Sequence, residues 1–85
     1  MSYVNNLKMF VRVLELGSMS AAARDQRTSP AVASSRVAEL EKHLGIRLFN
    51  RTTRRLQPTE NGRLFYEGAR KVLEAIDDAE AAVMA

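Results

Sequence analysis

Residues 29–45 read SPAVASSRVAELEKHLG, and this stretch carries both ends and both faces of one helix. Ser29 stands where a side-chain oxygen caps free amides, and Pro30 follows at the first helical position, where the missing N–H would have no partner anyway. Ala33, Val37, Leu40 and Leu44 then recur at three- and four-residue steps, and Gly45 supplies a left-handed stop. The pattern predicts a helix over about 30–44 with one apolar face. At about 100° per residue the opposite face carries Ala31, Ser35, Ala38 and Lys42, with Ser34 on its flank and Arg36 nearer the core edge.

Working outward, two helices precede this one. Val4, Leu7, Phe10, Val11 and Leu14 share a helical period, which predicts a first helix over about 4–16 ended by Gly17. Ser18 caps a second, short helix from Met19 to about Gln26, whose Ala21-Ala22-Ala23 run allows close packing. Two short helices joined across Arg27 to Ser29, the second strongly marked at its start, make a helix-turn-helix, a motif that lays its second helix in the DNA major groove. After Gly45 the helical period stops. Ile46 to Arg51 and Leu56 to Pro58 read as two short strands around the basic tip Thr52-Thr53-Arg54-Arg55, a hairpin or wing. Thr59 then caps a last helix, with Leu64, Phe65, Ala69, Val72, Ile76, Ala79 and Val83 in a stripe. About 25 residues of helix reach roughly 37 Å, further than so small a domain extends, so a second copy of the same helix is expected to cover Val72, Ile76, Ala79 and Val83. The predicted class is mainly α: a three-helix core with a small β-hairpin wing over residues 1–58, followed by a long linker or dimerisation helix over 59–85.

Composition narrows the function. The chain has 85 residues, 46% of them hydrophobic and none of them cysteine, which excludes a large enzyme fold, a disulfide-stapled scaffold and a thiolate metal site. No apolar run approaches the roughly 20 residues of a membrane span, and no signal-peptide layout appears at the start, so a cytoplasmic protein is expected. Net charge is +3 overall, but it divides into +7 over residues 1–71 and −4 over residues 72–85. The densest basic stretch holds Arg47, Arg51, Arg54, Arg55 and Arg63 against Glu60 alone, which suits a polyanion. Arg greatly outnumbers Lys, and guanidinium presents a rigid fork of donors to phosphates and base edges.

The helix-turn-helix then assigns roles. Ser34 and Ser35 can meet a base edge or phosphate, and Ala31 can pack on a thymine methyl, yet no long bidentate reader sits squarely on that face. The helix is expected to seat closely and to discriminate modestly, with Arg36 on a phosphate. Arg54 and Arg55 at the wing tip can enter a narrow minor groove, while Arg51, Thr52 and Thr53 bind phosphates and the helix N-terminus at Ser29 offers oriented backbone N–H groups to another. His43 sits near a helix C-terminus, where its charge favours the dipole. Asp77, Asp78 and Glu80 form a solvated face. No Gly-rich phosphate loop, Ser/His/Asp set or metal-ligand spacing occurs, so neither an enzyme nor a cofactor is expected.

Three stretches together, Gly17 to Ala23, Ser29 to Ser34 and Leu40 to Leu56, resemble the DNA-binding region of LysR-type transcriptional regulators. The likeness runs from about Leu7 to Gly62, and the helix that follows resembles that family's linker helix. It implies a bacterial winged helix-turn-helix whose linker helices pair antiparallel, so that helix 59–84 makes a homodimer. It also implies that an effector small molecule acts only through a larger C-terminal domain that this chain lacks. Carried over by position, the resemblance puts recognition-helix contacts on Pro30, Ala31, Ser34 and Ser35, a phosphate contact on Ser20 and the minor-groove arginine on Arg54. The chain departs from the family's usual residues at Ala21, Gln26, Arg27, Thr28, Ala33 and Ser35, which points to a looser turn and an Arg27 free to reach DNA.

The leading expectation is thus sequence-specific double-stranded DNA binding by a dimeric transcriptional regulator. Its rivals are a protein-interaction or dimerisation module, in which the arginines merely solubilise, and a non-specific nucleoid-type DNA binder.

Overall fold

The computed structural model describes residues 2–52 and 55–84. Four helices and one hairpin follow in the order α1 (Tyr3–Leu16), α2 (Met19–Asp25), α3 (Pro30–Leu44), β1 (Phe49–Arg51), β2 (Leu56–Pro58) and α4 (Glu60–Val83). Each helix begins at a hydroxyl side chain that accepts a first-turn amide: Ser2 from Asn5, Ser18 from Ala21, Ser29 from Val32 and Thr59 from Gly62. Local capping chemistry therefore sets all four starts.

The core is built where α1, α2 and α3 meet. Leu7, Met9, Phe10, Val11 and Val13 of α1, Ala22 and Ala23 of α2, and Ala33, Val37 and Leu40 of α3 are buried together. Leu48 and Phe49 close the cluster from the wing side, and Ala69 closes it from α4. Phe10 is its aromatic centre, with its ring 5.5 Å from both Phe49 and Phe65.

The turn of the helix-turn-helix is tight rather than loose. Thr28 N–H donates to the Ala23 carbonyl at 2.8 Å and Arg27 N–H to the Arg24 carbonyl at 3.2 Å, the paired bonds of a Schellman end. Arg27 occupies the left-handed position of that motif, at φ 57°. The Gln26 side-chain amide donates to the Lys8 carbonyl at 3.0 Å, which ties the turn to α1. The expectation of loose packing, drawn from Gln26, Arg27 and Thr28, is therefore corrected: a polar side chain does by hydrogen bonding what an apolar one would do by contact.

The wing is shorter than expected. Ile46 to Leu48 form an irregular segment, and pairing begins only at Phe49, with Phe49 opposite Pro58, Asn50 opposite Gln57 and Arg51 opposite Leu56. The reason is Glu41 of α3. Glu41 is 7% exposed, and its carboxylate accepts the N–H groups of Leu48 at 2.8 Å and Phe49 at 3.2 Å, so the Leu48 amide is spent on a side chain and the ladder starts only at Phe49. Helix α4 approaches the same segment closely. A Cβ at Gly62 would collide with the Leu48 carbonyl oxygen, so only glycine fits there. Thr59 locks the junction, donating its hydroxyl to the Arg47 carbonyl at 2.7 Å and its N–H to the Leu48 carbonyl at 2.9 Å.

The first half of α4 belongs to the core through Phe65, Tyr66, Ala69 and Leu73. Its 24 residues run about 36 Å in a molecule 47 Å long and 26 Å wide, and most of the second half lies in solvent. Val72 and Val83 are 48% and 82% exposed and Ala79 is exposed, whereas Ile76 of the same stripe is half-buried. Among the described residues no helix is long and apolar enough to cross a membrane.

Candidate nucleic-acid interface

The face of α3 turned from the core is open. Ala31, Ser34, Ser35, Ala38 and Lys42 are all exposed, while Ala33, Val37 and Leu40 are buried beneath them. Arg36 is half-buried at the edge between the two faces. With four small side chains on this surface, another molecule can approach the helix backbone closely, and little side-chain entropy opposes contact.

At the start of α3 the first-turn amides are mostly engaged. Pro30 has none, Val32 N–H donates to the Ser29 hydroxyl at 3.2 Å, and Ala33 N–H donates to the Ser29 carbonyl at 3.1 Å. Among the described residues this leaves the Ala31 N–H for an external acceptor. The Ser29 hydroxyl proton and the positive end of the helix add to the pull on an anion there. Ser20 lies exposed in the first turn of α2.

The basic residues gather on the adjoining side. Arg47, Asn50, Arg51, Thr52, Arg55 and Gln57 line one open depression on the wing. A second depression between the end of α3 and the wing root includes Ala38, Lys42 and Ile46, and it shares Arg47 and Arg51 with the first. One continuous surface thus runs from the reading face of α3 onto the hairpin. Its cations are Lys42, Arg47, Arg51 and Arg55, and the single carboxylate beneath them is Glu41, already committed to two backbone amides. Arg51 donates to Glu41 Oε1 at 3.2 Å and stays partly exposed, so part of its guanidinium fork anchors the wing and part remains for an anion. Thr52 donates its hydroxyl to the Arg55 carbonyl at 3.0 Å, which holds the base of the tip. Thr53 and Arg54 lie outside the described residues.

Three residues of this surface were not among the expected contacts: Arg47, Asn50 and Gln57. Asn50 and Gln57 are cross-strand partners on the exposed side of the hairpin. Strand alternation from the buried Phe49 could have found Asn50, but a strand begun at Ile46 hides that register. The ionisable groups with displaced titration, Arg12, Asp25 and Tyr66, are bonded to one another or to Glu15, not to residues of this surface. Among the described residues no group of His, Cys, Asp and Glu side chains could hold a metal ion.

Three core helices, an exposed third helix and a basic hairpin beside it define a winged helix-turn-helix. Residues 4–63 match the bacterial regulatory helix-turn-helix proteins of the lysR family, and the chain belongs to that family. An HTH-type transcriptional regulator of Haemophilus influenzae is 39% identical over 83 residues, covering 98% of this chain and 29% of that protein. The HTH-type transcriptional activator AaeR of Escherichia coli is 38% identical over 78 residues, covering 92% of this chain and 25% of that protein. The chain therefore spans between a quarter and a third of the length of these relatives. Among solved structures, the DNA-binding domain of BenM in complex with catB site 1 DNA superposes with a TM-score of 0.90 at 32% identity, over 96% of this chain and 90% of that one. The DNA-binding domain of CbnR in its DNA complex gives a TM-score of 0.82 at 35% identity, over 96% and 98% of the two chains.

Proposed function

We propose that this chain is the sequence-specific, double-stranded-DNA-binding module of a dimeric bacterial transcriptional regulator acting in the cytoplasm. Helix α3 enters the major groove through Pro30, Ala31, Ser34 and Ser35. Ser20, Ser29, Arg36, Arg51, Thr52 and Thr53 hold phosphates, and Arg54, with Arg55 beside it, probes the adjoining minor groove. Residues 1–58 provide DNA contact and residues 59–85 provide pairing, although both share one core. Effector control belongs to a C-terminal domain in the longer regulator, and the module performs no catalysis. The observation that carries this reading is the continuous surface of small α3 side chains and wing cations, on a scaffold that superposes closely on domains solved with DNA.

Such a surface binds in two parts. Phosphate contacts supply affinity and a salt dependence of about 0.9 in log K per contact, whereas groove contacts supply the difference between sites. The test is titration of the chain against a duplex enriched from a random library and against a scrambled duplex, at several salt concentrations. A steep salt slope with a large specificity ratio is the expected result. Arg54→Ala should weaken the specific complex by about 1–3 kcal/mol and by more than Lys42→Ala does at fixed salt. A specificity ratio near one would mean a nucleoid-type binder, and no binding at low salt would mean a protein-interaction module.

A further inference from the structure

Among the described residues three backbones adopt a left-handed conformation, each just past a helix: Gly17 after α1, Arg27 after α2 and Gly45 after α3. Glycine enters this region freely, whereas a residue with a Cβ is disfavoured there. The bonds that fix the turn run through backbone atoms and the Gln26 side chain, and glycine at position 27 would keep all of them. Nothing inside the fold uses the guanidinium. Arg27 is exposed, and its side chain makes neither an ion pair nor a hydrogen bond among the described residues. A disfavoured backbone kept for a side chain with no partner in the chain points to a partner outside it.

Charge indicates what that partner is. Asp25 is the only acid between Glu15 and Glu39, and Arg12 holds it through two bonds at 2.8 and 3.1 Å. Arg24 stands four residues after Ser20, on the same side of α2, and is likewise exposed and unpaired among the described residues. The turn thus carries two uncompensated guanidiniums, which suit an anion. Their position relates them to α3. Arg27 lies two residues before the Ser29 cap and Arg47 three residues after Leu44, so cations stand at both ends of the reading helix. The 15 residues of α3 run about 22 Å, and the major groove of B-form DNA is about 12 Å wide, so a helix seated there carries its ends out toward the phosphate ridges on either side. The wing serves the ridge beyond the end of α3; the turn meets the ridge beyond its start.

Resting on the DNA-binding reading above, we infer that Arg27 is a phosphate-holding residue, set in the turn itself, and that its left-handed backbone is retained for this contact at the expense of stability. Arg24 strengthens the field around it. A phosphate contact adds affinity for any sequence and one increment of salt dependence, about 0.9 in log K for each copy bound. Two variants separate the side chain from the backbone. Arg27→Gln keeps the Cβ and removes the charge, whereas Arg27→Gly removes both the charge and the strain. Titration against the enriched duplex and against a scrambled duplex, at several salt concentrations, should show both variants losing the same increment of slope on both duplexes. A fourfold rise in salt should therefore weaken each variant about 3.5-fold less per bound copy than it weakens the parent. Thermal melts should rank Arg27→Gly above the parent, so the more stable protein binds DNA more weakly. Parent-like slopes in both variants would overturn the contact while leaving DNA binding by the chain intact. A loss confined to the enriched duplex would make Arg27 a reader of bases, and a loss in Arg27→Gly alone would assign the effect to the backbone; either result overturns the phosphate role. A parent chain that binds neither duplex would overturn the DNA-binding reading, and this contact with it.

Discussion

Arg27 holds a left-handed conformation that glycine normally supplies at a Schellman end, and an L-residue with a Cβ is about 1–2 kcal/mol less favourable there. The chain tolerates it because Thr28, Arg24, Ala23 and Gln26 fix the turn by hydrogen bonds from both sides. Arg27→Gly should relieve the strain, partly offset by the greater freedom of glycine in the unfolded chain. The expected net gain is up to about 1 kcal/mol, read as a rise of several degrees in Tm. A fall in Tm would show that the Arg27 side chain makes a contact worth more than the strain. Glu41 illustrates the other side of what single residues reveal. Its place on the edge of the α3 stripe was visible by counting, but its grip on the amides of Leu48 and Phe49 joins residues seven and eight apart across a chain reversal. No local pattern encodes that reach, which is why the strand was expected to begin three residues too early and Arg51 was read as a phosphate ligand alone.

At the scale of elements, the helices were readable because caps and apolar periods are local. Ser18, Ser29 and Thr59 each do in space what their spacing implied. Their mutual angles were not readable, because polar side chains from three helices help to set them. Asp25 of α2 binds Arg12 of α1 at 2.8 Å, Arg12 also binds Glu15 at 2.9 Å, and Tyr66 of α4 donates its hydroxyl to Glu15 at 2.7 Å. The chain links the helix-turn-helix to the long helix. Its ends titrate at opposite extremes. The bond from Arg12 holds the Asp25 carboxyl below its ordinary value of 3.8, so the stability Asp25 contributes is present above that pH and is lost as pH falls through the lowered value. The hydrogen bond to Glu15 raises the Tyr66 phenol above its ordinary value of 10.0, so its contribution is complete below that pH and is lost as pH rises through the raised value. Tyr66→Phe should therefore lower Tm modestly near neutrality. The gap between variant and parent should close in thermal melts taken from pH 8 upward past 10, whereas a gap that stays constant would place Tyr66's role in packing rather than in the hydroxyl.

For the whole molecule, the question is how one core serves both DNA contact and pairing. The packed part of α4 ends near Leu73 and Ile76, and every described residue beyond is exposed. Ending the chain after Ile76 should consequently leave the three-helix core and wing folded while removing the proposed pairing surface. Two linked modules bind a double site with an effective local concentration that typically adds 10²–10⁴ to the affinity of one. The shortened chain should lose roughly that factor on a duplex with two half-sites and keep the parent's affinity for a single half-site. Electrostatics works against the loss, which sharpens the test. The cut removes Asp77, Asp78 and Glu80 with no basic residue, and it raises the formal net charge from +3 to +6. General attraction to any duplex should therefore rise even as preference for the double site collapses. Retention of full double-site affinity by the shortened chain would mean that the far half of α4 does not join the two copies, and pairing would have to be sought on another face.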